Sequence, residues 1–191
     1  LLSAEASLRG HHTRLIDSAF ARGEAGIAIN GLVWMGNREE MAQRMEEKLA
    51  AGYRCVKLKI GGIAFDDEVA LLDSLRRRFP RRQVELRVDA NGAFAPDEAL
   101  ERLRTLARFD LHSIEQPIRA GQWEEMAWLC RESPVPIALD EELIGVNATT
   151  EKAALLDTIR PAYLVLNPSL HGGLAGTAEW MRLAAERDIP Y

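Results

Sequence analysis

The sequence predicts an α/β fold, an incomplete (β/α) barrel of the TIM type with about six βα units and parallel strands. Three observations predict it. Apolar segments with period-2 alternation recur between amphipathic segments with helical period from about Ile27 to the last residue. The units are nearly equal in length, which suits a barrel better than a doubly wound sheet. No dinucleotide fingerprint or Walker-type lysine accompanies Gly61-Gly62. Alternating strands and helices build right-handed βαβ units and hence a parallel sheet. A whole barrel takes about 250 residues and eight strands, so 191 residues supply only part of one.

The elements follow in order. Residues 1–26 read as a weak helical lead-in without a clear strand, and 27–191 as the partial barrel domain. Ile27–Val33 is the first strand, and Arg38–Ala50 an amphipathic helix stopped by Gly52. Tyr53–Ile60 is the second strand; Asp66–Phe79 is a helix that Pro80 ends. Val84–Asp89 is the third strand. The helix after it starts at Pro96, with Asp97 and Glu98 in its first turn, and runs to Ala107. Leu111–Glu115 and Ile137–Asp140 are the fourth and fifth strands, separated by a helix over Trp123–Arg131. A helix over Glu151–Thr158, a sixth strand over Ala162–Leu166 and a helix over Leu174–Arg187 complete the pattern.

Composition narrows the function classes. The net charge is −5, with 24 basic and 29 acidic residues, which disfavours a nucleic-acid partner. The basic runs Arg76-Arg77-Arg78 and Arg81-Arg82 flank a helix end, where cations complement the dipole. No apolar run approaches a membrane span. Cys55 and Cys130 have no metal-type spacing and read as free buried thiols of a reducing cytoplasm. His11 and His12 lie in a polar stretch, and His112 reads as packed. The chain begins with Leu1 and not Met, so the natural start is expected upstream.

Charged residues recur where strands end. In Cys55–Ile60, Lys57 and Lys59 share one face, opposite Val56, Leu58 and Ile60. Asp89, Glu115 and Asp140 each end a strand opposite its aliphatic face, and Asn167 follows the sixth strand on the face of Tyr163 and Val165. Lys59, Asp89, Glu115, Asp140 and Asn167 are spaced by 30, 26, 25 and 27 residues, about one βα unit per step. The barrel therefore aims all of them at its C-terminal mouth, where active sites of this fold sit. Three carboxylates in one mouth repel each other. A hard divalent cation relieves that repulsion, and an all-carboxylate set selects Mg²⁺ or Mn²⁺ over Zn²⁺. Lysines crowded beside a cation should have depressed pKa values, and a neutral lysine can act as a base.

The segments "INGLVWMG", "CVKLKIGG", "ELRVDANGAF", "HSIEQPI", "PIALDEELIG" and "NPSLHGG" resemble the enolase superfamily in its muconate-lactonizing subgroup. The resemblance runs from about Ile27 to Tyr191 and is nearest to the o-succinylbenzoate synthase branch of menaquinone biosynthesis. It implies a cytoplasmic, Mg²⁺-dependent carbon–oxygen lyase acting on a small-molecule carboxylate. Asp89, Glu115 and Asp140 would hold the ion, with Mn²⁺ as substitute. Lys59 would remove the proton alpha to the carboxylate and return it to the departing hydroxyl. Lys57 would keep Lys59 deprotonated, and Asn91 would support the substrate by hydrogen bonding. The product would be 2-succinylbenzoate, formed by syn dehydration of a cyclohexadiene carboxylate through an enediolate.

The sequence departs from this pattern in two ways. The family places a second catalytic lysine where this chain has Asn167. Losing one such stabiliser costs on the order of 10²–10³ in rate by analogy with oxyanion-hole donors. The family's capping domain and last two strands are not visible, so the chain is expected to be a piece of a longer one. Alone it should associate or be poorly soluble through unpaired sheet edges. Two alternatives stay open: a non-catalytic or decayed barrel that keeps the metal site, and a racemase of N-acylamino acids or epimerase of dipeptides from the same subgroup.

Overall fold

Six strands pair in sequence order into one open, all-parallel sheet, in a computed structural model that describes residues 18–191. They are β1 (Gly31–Val33), β2 (Cys55–Lys59), β3 (Glu85–Asp89), β4 (Ser113–Glu115), β5 (Ile137–Leu139) and β6 (Tyr163–Leu164). The helices between and after them are α1 (Arg38–Ala50), α2 (Phe65–Arg78), α3 (Pro96–Leu106), α4 (Trp123–Glu132), α5 (Thr149–Ile159) and α6 (Gly173–Ala185). The sheet is open as expected, with β1 at one edge and β6 at the other.

Each unit forms for local reasons. Asn37 caps α1, its Oδ1 accepting from the Glu40 N–H at 2.9 Å. Acidic residues fill the first turns of α2 and α3, and Arg76, Arg77 and Arg78 fill the last turn of α2. Arg76 does more than complement a dipole. Its guanidinium donates to the carbonyls of Val84, Phe109 and Asp110 and so ties the end of α2 to β3 and to the turn before β4. Arg78 pairs with Glu46 on α1.

The aliphatic face of the strands makes the core. Val56, Leu58, Leu86, Val88, Ile114, Ile137, Leu139 and Leu164 are buried together with Leu72, Leu103, Leu106, Met126, Leu129, Leu155, Leu156 and Trp180 from the helices. Successive helices pack against one another, α1 on α2, and α3 through α6 in series. The opposite face carries Lys57, Arg87, Ser113, Glu115 and Tyr163, the polar lining expected of a barrel interior.

The helices match the sequence closely, and α1 matches residue for residue. The strands are shorter than expected. β1 starts at Gly31, in register with Val56 near the start of β2, its partner among the described residues; Ile27 and Ile29 stay exposed. β6 is reduced to two residues because its ladder runs along one side only, against Ala138 and Leu139. α5 begins two residues early and ends when Arg160 takes positive φ. Of the expected helical lead-in, residues 1–17 lie outside the described residues, and 19–23 form a turn. Among the described residues no helix is long and apolar enough to cross a membrane.

Candidate active site

The strand register brings the charged ends together. Lys59 pairs in register with Asp89, and Asp89 with Glu115. Glu115 pairs with Ala138, so Asp140 stands one inward step further along. Barrel closure requires such a stagger between strands, so the acids climb around the mouth and do not form a level ring.

The lysines sit among the acids. Lys57 Nζ donates to Glu115 Oε2 at 2.5 Å and lies 3.1 Å from Asp89 Oδ2. Lys59 Nζ donates to Asp89 Oδ2 at 2.6 Å and to Asn91 Oδ1 at 2.9 Å, and lies 5.3 Å from the centre of the Trp34 ring. Asp89 is fully buried. Its other oxygen accepts from the Asn91 N–H at 3.0 Å.

A turn places Asn91. Asn91 and Gly92 both have positive φ, which asparagine tolerates and glycine adopts freely. At Gly92 a Cβ would come within 3.0 Å of Arg119 Cα. The loop is laced to the end of β4 through Ala90 N–H to Glu115 O, Gly92 N–H to Gln116 O and Phe94 N–H to Pro117 O. Asn91 then reaches Lys59 with its oxygen and Glu141 Oε1 with its amide at 2.7 Å.

Charge states follow from burial and neighbours. Burial works against the Lys57 charge, but Glu115 and then Asp89 outweigh it and hold its pKa above the ordinary value. The depressed value expected for lysines beside a bound cation concerns the metal-loaded site; without the ion, the Glu115 and Asp89 carboxylates set the direction at Lys57. Burial and the Asp89 charge push Glu115 up to about 8 despite Lys57. Burial and then Glu141 also raise Asp140. Burial opposes the Asp89 charge, but the hydrogen bond from Lys59 and the attraction of Lys57 prevail, and its pKa is lowered.

Two buried carboxylate oxygens here, Asp140 Oδ1 and Glu141 Oε2, lack a hydrogen-bond partner. Raised carboxyl pKa values and unpartnered carboxylate oxygens mark a surplus of buried negative charge. Among the described residues no group of three Asp, Glu, His or Cys side chains already forms a metal shell. The Lys57 ammonium lies between Asp89 and Glu115, and the Lys59 ammonium beside Asp89.

Asn167 follows β6 in an exposed turn. Its Oδ1 accepts from the Ser169 N–H at 3.2 Å and the Ser169 hydroxyl at 2.6 Å. The side chain is engaged in its own loop, the ordinary behaviour of asparagine in a turn.

Three groups near these residues escaped the sequence reading. His171 is 2% exposed and faces Asp140, with Nε2 3.8 Å from Oδ1; burial lowers its pKa against the attraction of Asp140. Trp34 covers Lys59. Gln116, fully buried with positive φ, bridges β4 and β5. Its Oε1 accepts from the N–H groups of Asp140 and Glu142, and its Nε2 donates to Ile118 O and Glu142 Oε2. The sequence signal for it was a polar residue between Glu115 and Pro117; nothing in the sequence pointed to Glu142 as its partner. His112 sits just before β4, stacked on Tyr163 with ring centres 4.8 Å apart, as its packed reading expects. Cys55 and Cys130 are half-buried free thiols with pKa values pushed up by burial to about 11 and about 12.

Gln116→Leu tests the bridge. Each buried group left unpaired costs about 1–3 kcal/mol, and the change strands Glu142 Oε2 and two N–H groups. Urea unfolding is expected to show a loss of about 3 kcal/mol or more; a loss under about 0.5 kcal/mol would show that the bridge is slack.

Comparison with known proteins shows the family and fold of the chain. An o-succinylbenzoate synthase of Desulfotalea psychrophila is 54% identical over 184 residues, covering 96% of this chain and 50% of the relative. The crystal structure of MenC from the same organism superposes with a TM-score of 0.85 at 53% identity, covering 93% of this chain and 49% of that one. A hydrophobic dipeptide epimerase of Enterococcus faecalis is 26% identical over 121 residues, 62% of this chain and 34% of the relative. The muconate lactonizing enzyme solved at 1.85 Å shares the fold, with a TM-score of 0.72 at 20% identity over 83% of this chain and 43% of that one. The chain spans about half the length or less of these relatives. The family model "Enolase C-terminal domain-like" matches residues 40–191, and the chain belongs to that family.

Proposed function

We propose that this chain is the central part of a Mg²⁺-dependent dehydratase of the o-succinylbenzoate synthase type. One observation carries the reading: Asp89 and Glu115 end successive strands around Lys57 and Lys59, and Asp140 follows the next strand with its Oδ1 buried and unpartnered. The kinship with the Desulfotalea enzyme supports it.

The residues fit a hard divalent cation. All three donors are carboxylates, the set that suits Mg²⁺ or Mn²⁺. Two of them have pKa values raised by burial and negative neighbours, which a cation would relieve. Asp89, Glu115 and Asp140 would hold the ion. When bound, it supplies positive charge to the substrate carboxylate and makes the adjacent C–H more acidic. The chain's residues do the rest. Lys59, held by Asp89 and Asn91, takes the alpha proton and returns it to the leaving hydroxyl. Lys57, kept charged by Glu115 and Asp89, adds positive potential beside Lys59. Asn91 fixes the Lys59 ammonium and links it to Glu141. The partner this implies is a small carboxylate, and soluble cytoplasmic chemistry suits it.

Titrating Mn²⁺ into the chain by calorimetry tests the metal site. The native chain is expected to bind saturably, and Asp89→Asn and Asp140→Asn to lose binding at least tenfold. Unchanged affinity in both would remove the metal reading.

One observation favours a second reading, a decayed barrel that keeps the metal site without chemistry: the Asn167 oxygen is taken up by Ser169. The same observation weighs against an epimerase, which needs a lysine on each side of the substrate.

A further inference from the structure

We propose that His171 positions the Asp140 carboxylate by presenting its Nε2–H to Oδ1, and so sets how that acid meets a bound cation. The inference rests on the reading of Asp140 as a metal ligand and adds to it a residue that does not touch the metal.

The ring proton is placed by geometry. His171 Nδ1 accepts the backbone N–H of Asn167 at 3.0 Å. A nitrogen that accepts an N–H carries its lone pair there, so the proton of the neutral ring sits on Nε2. Nε2 lies 3.8 Å from Asp140 Oδ1, and both atoms are buried without a hydrogen-bond partner. That separation is too long for a hydrogen bond. A buried ring N–H and a buried carboxylate oxygen thus face each other, 3.8 Å apart, each without a hydrogen-bond partner.

The imidazole is the fixed side of the pair. The backbone N–H of His171 donates to Asn167 O at 3.0 Å. Its backbone carbonyl packs so closely on Gly176 of α6 that a Cβ there would stand 2.2 Å away. Asn167 in turn locks the loop through Ser169. Asp140 lies between β5 and a short turn over Glu141–Leu143, and its carboxylate carries no other side-chain bond through Oδ1. The acid therefore turns toward the ring. With Oδ1 held by His171, Oδ2 would be free to serve a cation, the usual division of labour when an outer residue orients a ligating carboxylate. The loop that holds Asn167 where the family has a lysine is thus also the loop that steers a ligand.

The test is calorimetric titration of Mn²⁺ into the 191-residue chain and into His171→Phe, His171→Gln and Asp140→Asn, with thermal unfolding of each in EDTA. His171→Phe is expected to weaken Mn²⁺ binding about 10–100-fold. His171→Gln, whose amide N–H reaches the same oxygen, is expected to recover most of that loss. A purely structural role would lower the unfolding midpoint in EDTA and leave the affinity of folded protein unchanged; that result overturns the inference, as does native affinity in both His171 variants. Native affinity in Asp140→Asn would remove the underlying metal reading, an outcome distinct from failure at His171 alone.

Discussion

Asn167→Lys is expected to raise the rate of 2-succinylbenzoate formation on the order of 10²–10³-fold. The measurement needs a complete barrel, which a chimera provides: residues 27–191 replace the matching segment of the Desulfotalea psychrophila relative, assayed with Mg²⁺. The enediolate reading needs positive charge on both sides of the substrate. In that reading Lys57 and Lys59 would supply one side. The other side would fall to Asn167, which is neutral and whose oxygen is engaged by Ser169. A charge aimed at the developing oxyanion in a site of low dielectric is worth about 2.7–4 kcal/mol. The substitution gives up two local hydrogen bonds in an exposed turn but keeps the backbone N–H that His171 accepts. Equal rates for the chimera that keeps Asn167 and the chimera that carries Asn167→Lys would show that the position has no electrostatic role.

Lys59→Ala in the same chimera is expected to abolish proton abstraction while metal binding persists. General-base catalysis by a positioned side chain contributes about 10²–10⁴-fold. Loss of hydrogen exchange at the alpha carbon in deuterated solvent, followed by NMR, reads that step directly. Metal affinity is expected to hold or rise, because Lys59 donates to Asp89 Oδ2 at 2.6 Å and its removal takes away one of the two ammonium groups on that oxygen, leaving Lys57 at 3.1 Å. Persistent exchange would reassign the base. Lys57 is a poor substitute, since its carboxylate partners hold it protonated.

The fold was legible because its units are local. Helix α1 could be bounded to the residue from its period and Gly52, and the structure adds the Asn37 cap at its start. Strand ends were less legible, because a strand lasts only as long as a neighbour supplies partners. Ile27 and Ile29 have the composition of a strand but lie upstream of the pairs that β2 offers. The acids at the mouth could be found because parallel strands of similar units repeat the same inward position. Their stagger could not, because it depends on how each strand registers against the next.

The sequence by itself determined which residues alternate to the inward face, among them two lysines and three carboxylates, and that Asn167 stands where the family resemblance leads one to expect a lysine. Alternation along a strand is a property of the local backbone, so it can be read one segment at a time. Only the tertiary structure decided how those charges partner. Lys57 bridges Glu115 and Asp89 across 58 and 32 residues of chain, and the balance of burial against those partners keeps it charged. Asn167 turns to Ser169, and His171 is buried against Asp140. Each of these outcomes depends on the distance between atoms brought together by the folded chain. Such distances are set by sheet register, helix packing and loop conformation, which no single segment contains.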